Sequence, residues 1–148
     1  MEFYINDHLE SEEIRLVLKK VKEADPARNR VPAYCFRICD KNGNAVGNCD
    51  LKIGYSDSLY YSGHIGYEIA EEYRGHHYAA KACRLLFGLA KKHGMPYLLI
   101  TCAPTNLPSR RTCEYLGGKL LEIVELPESH DLRVESGHTH ECVYRFDL

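Results

Sequence analysis

Fourteen consecutive residues constrain this chain more than any others: Tyr67-Glu68-Ile69-Ala70-Glu71-Glu72-Tyr73-Arg74-Gly75-His76-His77-Tyr78-Ala79-Ala80. An apolar strand runs into a short polar turn holding an arginine and a glycine, and the turn opens a helix rich in small residues. The first backbone N–H groups of such a helix lack an internal partner, and the helix dipole favours negative charge there. The turn is therefore a candidate cradle for the phosphates of a cofactor.

A length of 148 residues suits a single domain, 1–148, with its own hydrophobic core. A formal charge of −2 exerts no long-range pull towards nucleic acid or anionic membrane, so neither is an expected partner. The N-terminal Met1-Glu2-Phe3-Tyr4-Ile5 lacks the basic start and apolar run of a signal peptide. No apolar run approaches the roughly 20 residues that span a bilayer. The seven cysteines are odd in number and include no Cys-x-x-Cys pair, which points to a reduced, cytoplasmic setting.

Phe3 and Ile5 suggest a first strand. Ile14, Val17, Leu18 and Val21 form one apolar helical stripe behind Ser11 as N-cap, which predicts a helix from about Ser11 to Ala24, stopped by Asp25-Pro26. Ala33–Asp40 and Val46–Ile53 flank Asn42-Gly43, a hairpin signal. Gly54–Gly63 reads as a loop whose Tyr55, Tyr60 and Tyr61 could form a substrate rim. In the next strand, His64–Ala70, alternation separates Ile65, Tyr67 and Ile69 from His64, Gly66 and Glu68. The helix after the turn spans about Tyr78–His93, with Gly94 as C-cap. Tyr97–Cys102 is a strand covered on both faces. Asn106 caps a short helix with Pro108 in its first turn. Leu120–Leu126 and Thr139–Phe146 are the closing strands. The expected fold class is α/β, with a mixed, mostly antiparallel central sheet flanked by helices.

This order and two of its motifs resemble the GCN5-related N-acetyltransferases, the GNAT superfamily. The family turn Gln/Arg-x-x-Gly-x-Gly/Ala stands here as Arg74-Gly75-His76-His77-Tyr78-Ala79, with His77 in the place of a glycine. A left-handed backbone at a non-glycine residue costs ~1–2 kcal/mol, so His77 must either keep φ negative or have its strain offset locally. The second motif, Asn-x-x-Ser and then Tyr-Glu-Lys-Leu-Gly-Phe, is matched by Asn106, Ser109, Glu114, Leu116 and Gly117. Cys113 replaces the usual Tyr and Gly118 the Phe.

The resemblance implies an acetyl-CoA-dependent N-acetyltransferase in which an amine attacks the thioester directly. Two strands, here His64–Ala70 and Tyr97–Cys102, would splay to admit the pantetheine arm. Backbone groups of Ile69 and Glu71 would pair with that arm, and the Ile69 N–H would polarise the thioester carbonyl. Arg74, Gly75, His76, His77, Tyr78 and Ala79 would take the pyrophosphate, and Asn106 would both cap its helix and touch the pantetheine. Glu68 is the expected base, with His64, direct or through water, as the alternative. Ser109 is the expected acid, matching the serine of the ribosomal-protein N-terminal acetyltransferase subgroup. Cys113 is a second possibility there, and Tyr115 is expected to pack. The acceptor is a primary amine of a small molecule or of a protein or peptide N-terminus. Homodimers occur in this family.

The strand His138-Thr139-His140-Glu141-Cys142 looks ligand-rich, but three ligands strung along one strand close poorly on a single zinc, so no metal is expected. With the family Tyr and the central Gly both replaced, a catalytically silent CoA-binding or sensing module on the same fold is the rival expectation.

Overall fold

The turn after Asp40 shows how local chemistry starts the sheet. Asp40 Oδ1 accepts the N–H groups of Asn42 and Asn44, each at 2.9 Å, and this fixes the hairpin between β3 (Ala33–Asp40) and β4 (Ala45–Lys52). The computed structural model describes residues 1–148. Besides these strands it contains β1 (Leu9–Glu10), β2 (Ile14–Lys22), α1 (Asp57–Ser62), β5 (Ile65–Ile69), α2 (Tyr78–Lys92), β6 (Tyr97–Cys102), α3 (Leu107–Tyr115), β7 (Lys119–Glu125), α4 (Asp131–Ser136) and β8 (His140–Asp147). The strands form two antiparallel sheets, ordered β1-β2-β3-β4-β5 and β6-β8-β7. This is the mixed α/β architecture expected from the sequence.

Four expectations are corrected. The segment predicted as a helix over Ser11–Ala24 is strand β2, paired with β3 from Ile14↔Asp40 to Lys22↔Ala33. Ile14, Leu16 and Leu18 alternate towards the core, and an irregularity between Leu18 and Lys20 shifts the phase so that Val21 rejoins them. A period of two interrupted by one bulge thus mimics a helical stripe. Ser11 does receive N–H groups at its Oγ, from Glu13 and Ile14 at 3.3 Å, but in a tight turn before a strand. Phe3 and Ile5 lie outside any strand, and Phe3 packs edge-on to Tyr34. The predicted loop Gly54–Gly63 carries helix α1, capped by Ser56 Oγ, and α4 before the last strand is capped by His130 Nδ1. The loop tyrosines are tied down rather than free to form a rim. The Tyr55 hydroxyl donates to Tyr97 O at 2.6 Å and that of Tyr60 to Glu122 at 2.7 Å, while Tyr61 packs on His130.

The main core lies between α2 and the sheets. Cys83, Leu86 and Leu89 of α2 pack among Phe36, Leu51, Ile65, Leu98, Ile100 and Tyr144, all buried. Gly118, where the family has Phe, has a packing reason: a Cβ there would lie 2.5 Å from Phe146 Cζ. The Phe146 ring already fills that space and packs against Phe87 at 5.0 Å.

The two sheets meet at β5 and β6, where one residue makes the join. The His64 N–H donates to Leu99 O at 2.7 Å. The Leu99 N–H donates back to His64 Nδ1 at 3.0 Å, and His64 Nε2 lies 2.8 Å from Gly54 O. A ring nitrogen that accepts at Nδ1 and meets a carbonyl at Nε2 is the neutral Nε2–H tautomer. Gly63 permits the approach, with φ +75° and a virtual Cβ only 3.1 Å from Thr101 N.

Burial holds the His64 pKa below its ordinary value of 6.5. As pH falls through 6.5 the unfolded chain therefore binds more protons than the folded one, and stability declines on acidification. We expect His64→Gln to be less stable at pH 7, because a side chain bonded at both ends is hard to replace. We also expect it to lose stability less steeply between pH 7 and 5. Urea denaturation across that range checks both; equal slopes would remove His64 from the acid response.

Candidate functional site

From its single join, the gap between β5 and β6 widens into a cleft of about 1020 Å³. Gly66, Tyr67, Glu68 and Ile69 line it from β5, and Ile100, Thr101 and Cys102 from β6. The β4–β5 ladder decides which backbone groups face it. The Lys52 N–H donates to His64 O and the Ala70 N–H to Val46 O, so the even-numbered residues of β5 bond to β4. By antiparallel alternation the N–H and C=O groups of Tyr67 and Ile69 point the other way, into the cleft. The Ile69 carbonyl accepts Arg74 Nε–H at 3.1 Å, which folds the turn back onto the strand end.

Beyond Ile69, Glu71–Tyr73 makes one 3-10 turn and α2 begins at Tyr78. The N–H groups of Gly75, His76, His77, Tyr78, Ala79 and Ala80 donate to no protein group, and α2 has no side-chain cap. Six unpartnered donors at a helix start form a site for an anion. Arg74, Gly75, His77, Tyr78 and Ala79 also line the cleft, which therefore continues from the strand gap to the donors. Glu71 and His76 are exposed beside it.

His77 takes the left-handed conformation, φ +58° and ψ 27°, and its strain is offset locally. Its ring stacks on Tyr115 at 4.6 Å and 21°, and Tyr115 is in turn covered by the Arg84 guanidinium at 5.2 Å. Histidine also tolerates this region better than most residues. Tyr115 ties α3 to the turn through this stack, yet its side chain stays half exposed and lines the cleft.

Asn106 caps α3, its Oδ1 accepting the Ser109 N–H at 3.2 Å, and it lines the cleft. Ser109 Oγ lies 2.6 Å from the Tyr67 hydroxyl. Burial pushes the Tyr67 phenol well above its usual range, so this hydroxyl stays protonated. Tyr67 was missed in the sequence because it alternates with Ile65 and Ile69 and reads as core. The signal that could have found it is that a buried tyrosine hydroxyl needs a polar partner. Cys113 is fully buried with its thiol also pushed up by burial, and it does not line the cleft.

Glu68 is exposed and lines the cleft on the β5 face opposite Tyr67. His64 does not join it: both ring nitrogens are engaged by backbone and the residue is 1% exposed. His64 is therefore corrected as the alternative base: its ring is held by backbone and is absent from the cleft lining. Two further cleft groups escaped the sequence reading, Thr101 and the Glu141–His138 pair. In the ligand-rich strand, His138 Nδ1 meets the Glu141 carboxylate at 3.1 Å, while Cys142 is buried in the core.

The offset at His77 is open to measurement. His77→Gly removes ~1–2 kcal/mol of backbone strain but also the stack, worth ~0.5–1.5 kcal/mol; its net effect on stability should be small. His77→Ala loses the stack and keeps the strain, so it should be the less stable of the two by about 1 kcal/mol. Urea unfolding of both variants decides, and an alanine variant at least as stable as the glycine one would contradict this account.

Comparisons with known proteins agree with this architecture. MccE, the microcin C7 self-immunity acetyltransferase, solved with acetyl-CoA and AMP, superposes with a TM-score of 0.62 at 18% identity, covering 78% of this chain. The chain spans 61% of MccE. A GNAT-family acetyltransferase from Bacillus anthracis gives 0.60 at 20% identity, over 76% of this chain and 65% of that one. A candidate ribosomal-protein-serine acetyltransferase from Vibrio cholerae gives 0.67 at 14% identity, over 99% of this chain and all (100%) of that one. At such identities these likenesses show the fold. No curated protein matches the sequence. The acetyltransferase (GNAT) domain family, however, matches residues 1–119, and the chain belongs to the GNAT acetyltransferase family.

Proposed function

We propose that this protein is an N-acetyltransferase that moves the acetyl group of acetyl-CoA to a primary amine. The observation that carries the reading is the continuity of one cleft. It runs from the outward-facing Ile69 N–H between the splayed strands to the six unpartnered N–H groups of the turn. An extended amide-bearing arm pairs with the first, and a pyrophosphate with the second. Arg74 and the Gly75–Ala79 amides hold the pyrophosphate, Ile69 and Glu71 pair with the pantetheine, and Asn106 touches it.

The chemistry then falls to three groups. The Ile69 N–H donates to the thioester carbonyl oxygen, where negative charge develops as the amine attacks; a donor so placed contributes about 3–4 kcal/mol. Glu68 takes a proton from the amine nitrogen. Ser109, with Tyr67 behind it, donates a proton to the departing sulfur, and the bond between the two hydroxyls lets the buried phenol resupply it. The acceptor is an amine of a small molecule or of a peptide or protein N-terminus. The Ser109 pattern tilts this towards a peptide or protein amine.

Thiol release from acetyl-CoA over a panel of amines and N-terminal peptides tests the reading. We expect turnover with at least one class. Glu68→Gln and Ser109→Ala should each lower kcat by about 10²-fold or more, with CoA affinity within about twofold of wild type. CoA binding without turnover on any amine would instead support a silent CoA-sensing module. An unchanged rate in Glu68→Gln would remove it as the base.

A further inference from the structure

The cleft wall away from the hydroxyl pair carries a buried carboxylate with no role in the scheme above. Glu141 is 3% exposed, yet it lines the cleft together with Ser62, Thr101, Leu132 and His138. His138 Nδ1 lies 3.1 Å from Glu141 Oε1, and the two side chains differ sharply in access, 45% exposed for His138 against 4% for Glu141. The pair thus links a dry carboxylate in the cleft wall to solvent.

Strand alternation places this pair relative to the other groups. On β8, Cys142, Tyr144 and Phe146 belong to the core beneath α2, so Glu141 and Val143 face the other side. On β6 the same logic sets Thr101 against Ile100 and Cys102, and on β5 it sets Glu68 against Tyr67 and Ile69. Glu68, Thr101 and Glu141 therefore share the face turned away from α2 and α3, while Tyr67 and Ser109 meet on the face beneath them. The two carboxylates lie on one side of the gap and the Tyr67–Ser109 hydroxyl pair on the other. That is the polarity needed to deprotonate an amine arriving from one side and protonate a sulfur leaving on the other.

We propose that Glu141 accepts the first proton of the incoming ammonium and hands it through His138 to solvent. This rests on the N-acetyltransferase reading. The Glu141 carboxylate takes one proton from R–NH3+, and the freed lone pair forms the C–N bond as the C–S bond breaks. The second proton on nitrogen passes to Glu68, and the sulfur takes one from the Tyr67–Ser109 pair. Two protons leave nitrogen, one reaches sulfur, and one is released to solvent when the groups reset.

The surroundings of Glu141 suit a base. Burial raises its pKa above the ordinary carboxylate value, and this outweighs the lowering by His138, by His130 at the start of α4 and by the Thr101 hydroxyl. Cys102 and Cys142 adjoin it from β6 and β8, Arg110 of α3 faces those thiols, and Glu68 lines the same cleft from β5. A carboxylate moved up towards the operating pH is the better-matched proton acceptor.

The test is the pH profile of kcat/KM on the amine that the wild type acetylates. Glu141→Gln keeps hydrogen-bonding capacity towards His138 and Thr101, so a merely structural pair would leave the profile unmoved. We expect a fall of about 10²-fold or more at pH 7, loss of the acid limb and unchanged CoA binding. A rate within about threefold of wild type with the acid limb intact would overturn the proposal. Should Glu141→Gln fail to fold by circular dichroism, the half-exposed His138 decides. His138→Gln should slow turnover about tenfold and shift the acid limb, and an unshifted profile would overturn the relay. A wild type that releases no thiol with any amine would instead overturn the acetyltransferase reading, and this inference with it.

Discussion

The site depends on a single tether. His64 and Leu99 exchange two hydrogen bonds across β5 and β6, one through backbone and one through the imidazole, and beyond that point the strands no longer pair. A continuous sheet would use the outward-facing groups of Tyr67 and Ile69 for its own ladder. Because the join is confined to one residue, the Tyr67 groups and the Ile69 N–H remain available for a bound chain, while the Ile69 carbonyl holds Arg74. The imidazole also bonds Gly54 O, so the tether reaches back to the entry of α1. A histidine that looked like a candidate base proves to be what holds the cleft in shape.

Around this opening, the two faces of the sheet carry opposite chemistry. The face beneath α2 and α3 brings a serine on a helix N-terminal turn against a strand tyrosine, giving a protonated hydroxyl pair. The other face carries Glu68 and the Glu141–His138 pair. The helix-start turn lies at one end of the same cleft, its donors kept free because no side chain caps α2. The left-handed His77 keeps that turn open at a cost that the Tyr115 stack offsets, so α3 both carries Ser109 and steadies the turn.

Much of this was legible in the sequence where a local rule had no competitor. The Arg74–Ala79 turn, the Asn106 cap and the Asn42-Gly43 hairpin are set by neighbouring residues, and they stand where the pattern put them. The failure over Ile14–Lys22 has a definite cause. One bulge between Leu18 and Lys20 converts a two-residue period into 14, 16, 18, 21, and Val17 then completes a false helical stripe. What sequence could not supply are meetings across the chain. Tyr67 with Ser109 is a contact over 42 residues and His64 with Leu99 one over 35. Glu141 was visible only as part of a ligand-rich string, because its burial depends on α4 and β6.

The central claim is that the strand gap and the turn form one binding surface for coenzyme A. A 15N–1H NMR titration with CoA reads this residue by residue. The account predicts that the amides of Ile69 and of Gly75 to Ala80 shift together and saturate at one concentration, while those of β1 to β3 stay in place. Shifts confined to other strands, or the turn amides moving without Ile69, would contradict it.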